Sequence, residues 1–180
     1  MPVPVTATPR AEGFLGATWG MGAEKIDKVM TAQGFGDKTV LNQGNALRYR
    51  GNFYGYPCYL NLSLWDDKFY EGTASAICQT REVAGNSEVR VCFTLLAQKM
   101  IAEYGEPTQK NEWEGARTYF WDKLPGRNQY DEIYLLLSEH FAEGGQTEGS
   151  VQVHFMNRTL EDCLYYRMMG RRTPYACPVY

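Results

Sequence analysis

The sequence predicts an α+β fold: two helices on one face of an antiparallel sheet of about six strands. Three observations carry that expectation. Two stretches repeat apolar residues with the 3.6-residue period of a helix, six segments read as strands with plain alternation at 58–65 and 151–156, and short turn-forming sequences separate the strands. The elements follow the order helix, three strands, helix, three strands. The chain therefore reads as an extended linker at 1–12 and one domain, 13–180, made of two tandem units, 13–92 and 93–180.

Within 1–12, Pro2, Pro4 and Pro9 forbid a helix, and there is neither a basic nor an apolar stretch of the kind a signal peptide needs. The segment is similar to the linker that follows a removed signal, and equally to a frayed cytosolic end. The first helix is expected over 23–33, with Ile26, Val29 and Met30 on one stripe and Gly34 suited to the positive φ that ends it. Strands are expected over 46–54, 57–65 and 68–78, with Asp66-Asp67 as a hairpin turn. Cys58, Leu60, Leu62 and Leu64 alternate there with Tyr59, Asn61, Ser63 and Trp65.

A second helix is expected over Glu88–Tyr104, where Phe93, Leu96, Ala97, Met100 and Ile101 form the apolar face and Gly105 and Pro107 stop it. Strands over 117–121, 130–141 and 149–157 follow, separated by Pro/Gly/Asn-rich turns at 124–128 and 143–146. Residues 160–169 fit either a short helix or coil.

With 44% hydrophobic and 22% charged residues in 180, a packed core is expected and wholesale disorder is excluded. A net charge of −3 argues against nucleic acid as the main partner, because phosphate binding needs a basic surface. No apolar run is long enough for a bilayer-spanning helix, and two histidines exclude a His-rich metal site.

The five cysteines are Cys58, Cys78, Cys92, Cys163 and Cys177. None has the CxxC spacing of zinc or thioredoxin-type sites. The equal spacing of Cys78 to Cys92 and Cys163 to Cys177 predicts two equivalent disulfides, with Cys58 left over, and so a periplasmic or secreted protein. Five reduced thiols are the cytosolic alternative.

Gly13-Phe14-Leu15-Gly16-Ala17-Thr18-Trp19-Gly20 resembles the FLGxxWG opening of many small bacterial exported proteins, in which a helix with a stripe like Lys25 and Val29 follows. The tandem helix-plus-strands layout over residues 13–157 is similar to that of the beta-lactamase inhibitor protein and its relatives, whose units have four strands where three are counted here. These resemblances imply fold and export.

Catalytic constellations are scarce. There is no G-x-S-x-G elbow, no phosphate-binding glycine loop and no calcium loop, so the sequence points to no enzyme and no cofactor. His140 and His154 could approach each other on neighbouring strands, and a hydrolase using His154 with Glu139 is a third reading. Residues 48–56 interleave Arg and Tyr like an RNA-stacking strand, but Pro57 and the acidic balance oppose that.

If both helices cover one face, the other must carry the alternate residues of each strand. Arg48, Arg50, Tyr59, Trp65, Tyr134 and His154 are its candidate binding residues, rich in the types that make binding hot spots. The expected partner is a protein or an envelope component. A small-ligand carrier, with a pocket between helices and sheet lined by Leu62, Leu64, Phe93, Met100 and Val153, is the alternative.

Overall fold

Eight strands join in one antiparallel sheet in the computed structural model, which describes residues 13–78, 82–83, 86–122, 131–141 and 147–171. A small hairpin of β1 (Gly13–Phe14) and β2 (Ala17–Thr18) opens the chain and leads into α1 (Ala23–Ala32). Four strands follow: β3 (Gly36–Leu41), β4 (Ala46–Phe53), β5 (Tyr56–Trp65) and β6 (Lys68–Ala76). A two-stranded pair, β7 (Glu82–Val83) and β8 (Asn86–Ser87), precedes α2 (Glu88–Tyr104). Four more strands, β9 (Gln109–Trp113), β10 (Ala116–Trp121), β11 (Asp131–Phe141) and β12 (Thr147–Asn157), end in α3 (Arg158–Met168).

The order across the sheet is β3-β4-β5-β6-β12-β11-β10-β9. The six-stranded sheet of two helix-plus-three-strand units is thus corrected to eight strands, two accessory two-stranded pairs and three α-helices among the described residues. The added strands β3 and β9 are the two edges. Almost every residue of Gly36–Leu41 and Gln109–Trp113 is exposed, so neither carries the apolar alternation by which a strand is recognised. Backbone pairing with β4 and β10 recruits them instead. Charged residues such as Lys38 and Lys110 also suit edges, because they discourage pairing with another chain.

The six expected strands all form, with ends shifted by one or two residues, and Glu88–Tyr104 is helical over its whole expected length. Asp66 and Asp67 make the hairpin turn with φ of 50° and 55°, the left-handed pair that a two-residue turn requires. The linker at 1–12, the turns at 124–128 and 143–146, and Cys177 lie outside the described residues.

One face of the sheet holds the core. Tyr49, Leu60, Leu62, Ala74, Val153, Leu135 and Ile133 are all at most 2% exposed. Against them α2 sets Phe93, Leu96 and Met100, and α1 sets Ile26 and Met30. Burying each such side chain stabilises the fold by roughly 1.5–3 kcal/mol. The Tyr49 hydroxyl donates to Asp27 Oδ1 of α1 (3.0 Å) and Phe93 meets Tyr119 edge-on at 5.1 Å, which places both helices on this face. The β1–β2 hairpin joins the same core: Phe14 stacks on Phe155 at 4.5 Å and Trp19 on Phe69 at 4.9 Å.

Helix α3 settles the open reading of 160–169. Asn157 caps it by accepting from Leu160 N (2.9 Å), and its Nδ2 donates to the buried Asp131 Oδ1 (2.9 Å), which also accepts from Trp19 Nε1 (3.1 Å). Leu160, Cys163 and Leu164 are its buried stripe.

Cys78 and Cys92 are joined, tying the chain after β6 to the start of α2. Cys163 is also disulfide-bonded, and Cys58 is a free, buried thiol.

Candidate functional site

Alternation puts every second strand residue on the face opposite α1 and α2, and the register arranges those residues in rows. One row crosses all eight strands: Thr39, Arg48, Asn61, Thr73, His154, Tyr134, Phe120 and Gln109. The next runs Arg50, Tyr59, Ser75, Gln152, Leu136, Thr118 and Asn111. All of these residues are exposed or half-exposed. The buried row of Tyr49, Leu60, Ala74, Val153 and Leu135 lies between them on the other side.

Neighbours along these rows bind one another. Arg48 Nε donates to Asn61 Oδ1 (2.8 Å), and its guanidinium stands 5.8 Å from the centre of the Tyr59 ring. At the sheet's middle, where β6 meets β12, Thr73 Oγ1 lies 3.1 Å from His154 Nδ1, and Gln152 Oε1 lies 3.0 Å from His154 Nε2. Glu71 Oε1 approaches His154 Nδ1 at 3.5 Å, while Ser63 Oγ donates to Glu71 Oε2 (3.1 Å). On β11 the Tyr134 hydroxyl donates to Glu132 (2.7 Å) and its ring packs on Phe120 at 4.8 Å.

The electrostatics follow from these partners. The hydrogen bond with His154 holds the Glu71 carboxyl below its ordinary range, helped by Ser63 and opposed by partial burial. Burial first, then the bond to Glu132, pushes the Tyr134 phenol up, so it stays a neutral donor. These partners restrict the rotamers that the face's side chains can adopt.

Of the six candidate residues, the structure brings five onto this surface. Arg48, Arg50 and Tyr59 form one cluster on β4 and β5, and Tyr59 is 43% exposed. Tyr134 and His154 face each other across β11 and β12. Trp65 is separate: at the end of β5, past a bulge after Ser63, it lines a cleft of about 220 Å³ with Tyr70, Leu164, Tyr165 and Met168, so α3 covers that corner. The bulge also explains why alternation does not pick out Glu71. It shifts the alternation of β6, and the small core-side residues Gly72 and Ala74 leave little apolar signal to read.

The Glu139–His154 pairing does not form. Glu139 binds Arg90 of α2 at 2.8 Å, and the carboxylate beside His154 is Glu71. Leu62, Leu64, Phe93, Met100 and Val153 are 0–2% exposed parts of the core. Burial raises the Cys58 thiol to about 11, which makes it a packing residue rather than a thiolate.

Among the described residues no group of three or more His, Cys, Asp or Glu side chains could hold a metal ion, and no helix is long and apolar enough to cross a membrane. Comparison of the chain with protein-family models, with curated proteins and with solved structures yields no significant match to any of them.

Proposed function

We propose that this protein acts by binding, without catalysis, and holds a protein or envelope component against the sheet face opposite α1 and α2. The observation that carries this reading is the pair of polar-aromatic rows, with Arg48, His154 and Tyr134 in one and Arg50 and Tyr59 in the other, all exposed or half-exposed. Tyr, Arg and Trp dominate binding energetics because they combine large contact area with a polar handle. His154 and Thr73 lie on an open sheet rather than in a cleft that could exclude water around a reacting bond, which favours recognition over chemistry. The Cys78–Cys92 disulfide supports an oxidising compartment, periplasmic or extracellular.

Site-specific photo-crosslinking tests the proposal. A crosslinking residue at Tyr59 or Ser138, on the proposed face, should trap a discrete partner from an envelope extract, and Arg48→Ala should weaken that capture. The same residue at Val91 or Leu95, exposed on α2, should not. Equal labelling from both faces, or from neither, overturns the proposal.

A further inference from the structure

A cavity of about 320 Å³ opens at one end of the sheet, where the β1–β2 turn, the β4–β5 turn and the last turn of α2 converge. Its walls are aromatic: the half-buried Tyr54 and Tyr104 border it, and the buried Phe14, Phe53 and Phe155 form its floor. The rings brace one another. Phe14 stacks on Phe155 at 4.5 Å and lies 5.8 Å from Phe53, Phe53 meets Tyr54 edge-on at 4.6 Å, and Tyr104 meets Phe155 edge-on at 6.0 Å. Gly72 makes room for this arrangement, since a Cβ there would run into the Phe14 ring.

The charge at the cavity is negative. Glu103 lines it, is exposed, and accepts from the Tyr54 hydroxyl. It is also the penultimate residue of α2, where the helix dipole already presents its negative end, and the last turn of α2 holds no basic residue. A carboxylate there breaks the usual helix-end preference, and such local conflicts concentrate at functional sites. Lys99, one turn earlier, points elsewhere: its ammonium donates to the Tyr54 carbonyl, lies 5.8 Å from the Tyr56 ring centre and does not line the cavity.

Ring faces are electron-rich and attract a cation, and a nearby carboxylate adds to that attraction. Apart from Glu103, the side chains offer few acceptors: Asn52 and the phenols of Tyr54 and Tyr104. A methylated ammonium sets its methyl groups against the rings while Glu103 answers its charge, whereas a primary ammonium, more strongly hydrated, gives up more on entering the same aromatic site.

We propose that this cavity binds the head of a small methylated ammonium compound, with Glu103 as counter-ion and the half-buried rings of Tyr54 and Tyr104 as its walls. The site is distinct from the sheet face and does not depend on its role.

Calorimetric titration of the full chain tests the proposal with three ligands of similar shape. Choline should bind saturably, roughly ten-fold or more tighter than 3,3-dimethylbutan-1-ol, its neutral carbon isostere, and tighter than ethanolamine. Glu103→Gln, at an exposed position, should leave the melting temperature unchanged and weaken choline about ten-fold, while leaving the neutral alcohol unaffected. Equal binding of choline and its carbon isostere, equal binding of ethanolamine, choline affinity unchanged in Glu103→Gln, or no saturation by choline in the tens of millimolar overturns it.

Discussion

Gly72 shows how much one position can decide. It sits in β6 beneath Phe14, and its missing side chain lets that ring lie on the sheet and reach Phe155. Gly72→Ala should destabilise the protein by about 1–3 kcal/mol in urea unfolding, the range for overpacking a core. On the opposite face, Tyr59→Ala should change stability by no more than about 0.5 kcal/mol while weakening partner capture, because Tyr59 is 43% exposed. Glu71 ties that face to pH. Its folded carboxyl is held below the ordinary value by His154, so its contribution is present above the ordinary carboxylate range and is lost as pH falls through the lowered value. Glu71→Gln should therefore flatten the acid limb of a plot of melting temperature against pH. Cys58, with a thiol raised to about 11 and no exposed surface, should resist Ellman's reagent in the native protein at pH 8. Denaturation without reductant should then release one reactive thiol.

The helices differ in how far their own residues specify them. The bounds Glu88–Tyr104 were readable because Phe93, Leu96, Ala97 and Met100 repeat at helical spacing and Gly105 ends the run at φ 81°. By contrast, Gly22 gives α1 no side-chain cap; Ala23 N donates to Asp67 Oδ1 (2.8 Å), 44 residues along the chain. Helix α3 depends on Asn157, which both caps it and donates to the buried Asp131. Strands β4, β5 and β12 were legible from alternation, whereas the edges β3 and β9 bury neither face and so carry no pattern to read. The Cys78–Cys92 bond, expected from spacing alone, joins cysteines 14 positions apart at the joint between β6 and α2. Replacing both cysteines with serine should lower stability by about 3 kcal/mol, measured by denaturant unfolding, if restriction of the unfolded chain dominates.

At the scale of the whole molecule, the sheet divides the labour. One face is sealed by α1, α2 and the β1–β2 hairpin; the other stays polar, with α3 over the corner at Trp65. Five of the six candidate contacts could be chosen from the sequence because alternation tells which residues share a face. The sixth, Trp65, shares the alternation but not the location, since its position depends on a bulge and on where α3 docks. The aromatic cavity was not legible at all: its lining comes from residues 13–16, 52–54, 103–104 and 155, far apart along the chain.

By itself, the sequence determined the α+β composition, the central strands, the second helix, the Cys78–Cys92 pairing and the sides on which most strand residues fall. Each of these is written in spacing between residues near one another along the chain. Only the tertiary structure decided that β6 lies beside β12, that Thr73 and Glu71 meet His154, that two patternless edges complete eight strands, and that two tyrosines and a carboxylate border an open cavity over a floor of buried phenylalanines. Pairing between strands tens of residues apart depends on how two surfaces fit and on the entropy of closing the loops between them, and neither leaves a periodic mark in the chain.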